Sequence, residues 1–206
     1  REPSIARHIR VVWLGSNYPA PGEHNLKWDQ KALNYVLDTE VPFEMVTVRY
    51  EEPSGTAEVR VTRDQILHRM PGKGPEISEP VTGRQGGNFR TWGDYSVDLF
   101  KKSDMWGVPP GRSLFDMAAL SILKHPEWAE SRTIPAPVYA AEGWEERPDN
   151  PRRVIIREWF HIYAIAHDFF HTMDNYKLVQ TPAPCCGDKH ADSSQDGRDH
   201  GFRVTM

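Results

Sequence analysis

The sequence predicts an α/β fold in which a mostly parallel sheet carries flanking helices. Two observations lead there. Residues 9–50 run strand, loop, helix, strand, the order that builds a parallel βαβ unit. Further along, helical apolar patterns at 113–125 and beyond 160 alternate with short β-branched runs.

The elements are expected in this order. Residues 9–14, Ile-Arg-Val-Val-Trp-Leu, form an apolar run ending in Gly15-Ser16-Asn17, which reads as a buried strand delivering its carboxyl end into a loop. The loop 17–25 follows, then a helix over 28–38, with Leu26, Ala32, Leu33, Tyr35, Val36 and Leu37 expected to supply the inward face. Residues 42–50, "VPFEMVTVRY" with its leading valine at 41, are β-branched and aromatic and read as the second strand. Thr62 is placed to cap a short helix through Asp64, Ile66 and Leu67. Residues 71–90 are rich in Gly and Pro and read as a mobile connector or lid. Trp92, Tyr95, Val97, Leu99 and Phe100 follow in a helical pattern. The clearest helix is 113–125, expected to be capped by Ser113 and to end before Pro126. "RTIPAPVYAAEG" reads as an edge strand, because its prolines remove ladder donors. "RRVIIRE" is a strand-like run leading into a long helix. Residues 1–180 are taken as one α/β domain, and the polar, aperiodic 181–206 as a disordered tail.

The chain has 206 residues, 38% hydrophobic and 26% charged, with a net charge of −4. That suits one domain with a substantial core. No basic stripe is present, so nucleic acid is not an expected partner. No apolar run reaches the ~20 residues of a membrane span, and the cytoplasm is the expected location. Cys185 and Cys186 are adjacent and make no disulfide framework.

Three places carry candidate chemistry. In "PGEHNLKWDQKA" (21–32), Glu23 and Asn25 stand two apart in a Pro/Gly loop before a helix. The plain reading is a polar helix start. The chemical reading is a clamp, because a carboxylate and a carboxamide can together hold the hydroxyls of a sugar. With Asn17 they would lie at the carboxyl end of a parallel strand, where ligands gather in such sheets. Asp116 falls in the first turn of the 113–125 helix, where a carboxylate either stabilises the helix dipole by about 0.3–1 kcal/mol or serves as a cation ligand. "HDFFH" sets His167 and His171 four apart on one helical face, a spacing that chelates zinc, with Asp168 beside them and His161 six residues before the first. In the tail, "DSSQDGRD" has part of the spacing of a calcium loop, but Arg203 takes the place of the bidentate glutamate such a loop needs.

Taken together, "VVWLGSN", then "EHNLKWDQKALNYVL", then "VPFEMVTVRY", and about ninety residues later "LFDMAAL", resemble the inosine–uridine-preferring nucleoside hydrolase family. The resemblance covers roughly residues 9–125. It implies an α/β fold and cleavage of the N-glycosidic bond between ribose and a base. It also implies a Ca²⁺ ion that binds the ribose hydroxyls and orients water. By that resemblance Glu23 and Asn25 bind the ribose, Asn17 assists them, and Asp116 is both a calcium ligand and a contact to a sugar hydroxyl. The ligand is then a small nucleoside or ribosyl compound, and a homo-oligomer is an open expectation.

Two departures qualify this. Phe115 stands where the family has a histidine that helps protonate the leaving base, and phenylalanine cannot be a general acid. The Asp-rich strand end with which the family opens has no counterpart before residue 9. The chain therefore resembles the C-terminal part of such a protein, with activity expected to be impaired in this chain alone and no catalytic residue assigned. Two rival expectations are a non-catalytic sugar- or nucleoside-binding module and a zinc hydrolase using His167 and His171.

Overall fold

Three short apolar strands lie parallel, and their carboxyl ends meet at one edge of the sheet. The computed structural model describes residues 3–176. In chain order it contains β1 (Val11–Leu14), α1 (Gln30–Leu37), β2 (Phe43–Val46), β3 (Arg60–Thr62), α2 (Arg63–Arg69), β4 (Glu76–Thr82), β5 (Asn88–Thr91) and α3 (Trp92–Lys102). Then come β6 (Gly111–Ser113), α4 (Phe115–Lys124), β7 (Glu130–Pro135), β8 (Val138–Ala140), β9 (Gly143–Glu145), β10 (Arg153–Glu158) and α5 (Ile162–Asp174). The central sheet has the order β1-β2-β10-β7. β1 and β10 both run parallel to β2, while β7 closes one edge antiparallel to β10. This is the mixed α/β class the sequence predicts.

Alternation along the strands divides the core between the two faces. Phe43 and Met45 of β2 join Val154 and Ile156 of β10, and α1 covers them with Leu33 and Leu37. Val46 belongs to the opposite face, packed with Ala118 and Ile122 of α4 and Ile165 of α5. A third cluster, Val61, Ile66, Met70 and Phe170, joins α2 to α5. Helices therefore flank the sheet on both sides.

Local chemistry explains most boundaries. Asp29 accepts a hydrogen bond from Ala32 N at 2.8 Å and so starts α1 at Gln30, two residues into the predicted span. Thr62 caps α2 as expected, completing a capping box with Gln65.

Several expectations need correction. Ser113 does not cap α4; it is part of β6, and its Oγ donates to Ala57 O. Leu114 holds the cap position without a side-chain bond. Residues 71–90 contain a hairpin, β4 against β5, rather than a structureless connector. The strand expected over 42–50 ends at Val46. "RTIPAPVYAAEG" holds the edge strand β7 and also β8, which pairs with β9. The expected tail 181–206, with Cys185, Cys186 and the partial calcium-loop pattern, lies outside the described residues.

Candidate functional site

The carboxyl ends of β1, β2 and β10 are where the backbone departs from ordinary geometry. Among the described residues, the four non-glycine residues with positive φ are Ser16 (97°), Arg49 (46°), Glu51 (65°) and Trp159 (53°). All four lie in the segments that leave these three strands at the sheet's carboxyl edge. Such a conformation costs an L-residue roughly 1–3 kcal/mol, so surrounding bonds must hold it. They do so in a connected set. Val48 N donates to Ser16 O at 2.8 Å, and Tyr18 N donates to Ser16 Oγ at 2.8 Å. Trp159 N donates to Ser54 O at 2.8 Å.

Glu23 is built into this edge. It is only 5% exposed, and its Oε2 accepts from Ser16 N at 3.2 Å and from Leu26 N at 3.0 Å. Two backbone donors thus fix the carboxylate, while Oε1 has no hydrogen-bond partner among the described residues. A nearly buried carboxylate with one oxygen held and the other free is a pre-positioned acceptor for a ligand hydroxyl.

Asn25 and Asn17 are positioned through one amide atom each. Asn25 Nδ2 donates to Leu14 O at 2.9 Å, which leaves its Oδ1 for other partners. Asn17 Oδ1 accepts from Arg49 N at 3.0 Å, so its NH₂ group is the free end. Glu23 and Asn25 are thus both bonded to the segment Leu14–Ser16 at the end of β1, which Asn17 follows directly.

Asp116 reaches the same edge only through intermediaries. It is exposed, in the first turn of α4, and has no hydrogen-bond or ion-pair partner among the described residues. The link to Glu23 is Tyr50. Its ring meets Phe115 edge to face at 5.8 Å between centroids. Burial first, and then the negative charge of Glu23, push the Tyr50 phenol above its ordinary value. Behind Asp116 opens a cavity of about 410 Å³ whose walls include Ile66, Trp92, Leu99, Phe115, Phe169 and Met173. Its mostly apolar lining beside one carboxylate suits a flat apolar group carrying a donor.

Asp116 alone does not make a calcium site. Calcium takes six to eight oxygens, several of them charged, and no group of three or more His, Cys, Asp or Glu residues converges among the described residues. The remaining ligands would have to come from elsewhere. The zinc arrangement fares similarly. His167 and His171 stack at 6.0 Å on α5, but Asp168 is held by Lys124 at 2.6 Å and His161 caps the helix through Nδ1.

Sequence reasoning missed Tyr50 and Arg49. Both were read as the end of a strand, and nothing in the residue types signals that Arg49 and Glu51 turn left-handed. No protein-family model matches this chain, and no curated protein matches it either. Among the described residues no helix is long and apolar enough to cross a membrane.

Proposed function

We propose that the carboxyl edge of the sheet binds the ribosyl group of a nucleoside or related compound, and that the protein is nucleoside hydrolase-like, cleaving the N-glycosidic bond. The observation that carries this reading is Glu23, with Oε2 pinned by the Ser16 and Leu26 N–H groups and Oε1 without a partner among the described residues, on the same strand end to which Asn25 is bonded through Leu14 O and from which Asn17 departs. Such a fixed acceptor strengthens its hold on sugar hydroxyls as positive charge develops on the ring in an oxocarbenium-like transition state. The apolar cavity beside Asp116 gives the base a place to rest. Calcium, which the sequence resemblance implies, would gain one ligand from Asp116 and needs further oxygens beyond the described residues.

One observation favours a second reading, a binding module without catalysis: among the described residues no group of three or more His, Cys, Asp or Glu converges with Asp116. A paired experiment separates them. Inosine and uridine binding is measured calorimetrically, and their hydrolysis is followed with and without added calcium, for the native chain and for Glu23→Gln. Calcium-dependent turnover lost in the variant supports the hydrolase. Glu23-dependent binding without turnover supports the module. Failure to bind either nucleoside would sink both.

A further inference from the structure

We propose a second binding site, for a zwitterionic α-amino acid with an apolar side chain, in the cavity beside Arg60. The cavity holds about 380 Å³, and its walls include Tyr50, Glu51, Ala57, Glu58, Arg60 and Trp106. None of Asn17, Glu23 or Asn25 lines it, so the site stands apart from the ribosyl reading and does not depend on it.

The anchor is Arg60, the first residue of β3. Its Nη2 donates to Trp106 O, and its guanidinium carbon lies 6.0 Å from the centroid of the Trp106 ring. Gly107 follows with a φ of 75°, and a Cβ there would fall 2.6 Å from both Nη1 and Nη2. The loop closes on the guanidinium as only glycine allows. No carboxylate answers this fixed charge. Arg60 forms no ion pair among the described residues, its Nη1 has no hydrogen-bond partner there, and its Nε is shut away from solvent with no partner. A guanidinium held in place and unpaired, on the wall of a cavity, is a pre-positioned donor for a carboxylate.

The rest of the wall selects what that carboxylate must carry with it. Glu51 and Glu58 have no hydrogen bond or ion pair through their side chains among the described residues. A simple anion entering the cavity would meet both carboxylates, and a simple cation would meet Arg60. A ligand with both charges on neighbouring carbons satisfies each, its carboxylate on Arg60 and its ammonium toward Glu51 and Glu58. Ser113, which also lines the cavity, adds no free donor because its Oγ is spent on Ala57 O. The remaining surface is the rings of Tyr50 and Trp106 and the methyl of Ala57, which favours an apolar side chain. Both rings are supported from outside the cavity. Tyr50 meets Phe115 edge to face at 5.8 Å, and Trp106 pairs through its backbone with Gly111.

The test uses the full chain and three ligands of one shape. These are L-phenylalanine, 3-phenylpropionate, which lacks the ammonium, and 2-phenylethylamine, which lacks the carboxylate. Titration calorimetry should show saturable binding of L-phenylalanine, with each analogue about tenfold weaker or worse, the scale of one lost charged hydrogen bond. Arg60→Gln should lower L-phenylalanine to the affinity of 2-phenylethylamine. The double variant Glu51→Gln/Glu58→Gln should lower it to that of 3-phenylpropionate. Absence of saturable L-phenylalanine binding by the native chain overturns the site, as does an analogue that binds equally well. A preference for the amino acid that both variants retain, with native circular dichroism, overturns its assignment to this cavity. The three ligands on the native chain decide the matter even if a variant does not fold.

Discussion

Arg49 and Glu158 form an ion pair of 2.7 Å, Nη2 to Oε2, that ties the carboxyl end of β2 to that of β10. The pair is nearly out of solvent, its side chains 6% and 12% exposed. Arg49 spends its remaining donors on the same edge: Nε on Tyr18 O at 2.8 Å, Nη1 on Ser54 Oγ at 2.9 Å, and backbone N on Asn17 Oδ1. The residue that orients the Asn17 amide is thus itself fixed by Glu158. Removing the partner leaves a buried guanidinium uncompensated, so Glu158→Ala should cost about 3–5 kcal/mol. Urea unfolding followed by circular dichroism measures it, and a loss below ~1 kcal/mol would show the pair to be dispensable.

The same carboxylate gives the fold a dependence on acid. Burial pushes Glu158 up, but hydrogen bonds from Arg132 and Arg49 prevail and hold it below the usual carboxylate range. A depressed folded-state pKa means that the unfolded chain takes the proton more readily. The stabilisation is therefore present above the unfolded value of about 4.3 and is lost as the pH falls through the folded value. Unfolding free energies between pH 7 and pH 3 should drop more steeply for the native protein than for Glu158→Gln, which carries no titrating group there.

Glu23 links stability to the site. Glu23→Ala strands the buried N–H groups of Ser16 and Leu26 and should cost about 1–3 kcal/mol for each left unsatisfied. Glu23→Gln keeps an oxygen that can accept them and should cost less. Because the charge of Glu23 helps raise Tyr50, the Gln variant should also shift one phenol titration downward. Ultraviolet difference absorbance detects that shift, and the signal should disappear in a Glu23→Gln/Tyr50→Phe double variant. A titration unchanged by Glu23→Gln would mean that the two groups are electrostatically independent.

What could be read from the residues was whatever is decided locally. The apolar run before Gly15 and the cap at Thr62 are each short-range matters, and they fall where expected. Ser113 was misread because Pro109-Pro110-Gly111 resembles the approach to a helix cap. Pairing with Arg60–Thr62, some fifty residues earlier, takes that segment into a strand instead. The hairpin β4–β5 was hidden because all seven β4 residues are exposed and no apolar alternation marks them; its turn uses Gly86 and Gly87 at φ of 80° and 81°. Tyr50 escaped notice because its exposure depends on positive φ at Arg49 and Glu51, residue types that give no hint of it.

Gly93 should tolerate no side chain. A Cβ there would sit 1.8 Å from Met70 O, at the crossing of α2 and α3, and its N donates to Lys73 O at 2.9 Å. The obstacle is backbone, so one helix must move. Gly93→Ala should destabilise by about 1–3 kcal/mol and, because neighbouring Trp92 lines the cavity, should alter tryptophan emission. Thermal unfolding with fluorescence detection reads both; a native melting curve would mean that α3 shifts without cost.

The last expectation concerns calcium. Asp116 is exposed and has no ion-pair partner among the described residues, and its neighbour Phe115 meets Tyr50, whose phenol feels the charge of Glu23. Glu23 has one oxygen already occupied by backbone donors. A cation at Asp116 would therefore meet one charged oxygen and otherwise water or neutral groups. Extracellular calcium modules, with several charged ligands each, bind at about 10⁻⁴–10⁻³ M, and one carboxylate should do worse. Titration calorimetry on residues 1–206 should thus give a calcium dissociation constant above ~1 mM, weakened further by Asp116→Asn. Addition of inosine should tighten it, since ribose hydroxyls placed by Glu23 and Asn25 would add oxygens to the ion. Binding in the micromolar range without nucleoside would place a full ligand set on this chain, and with it a metal centre that the described residues do not explain.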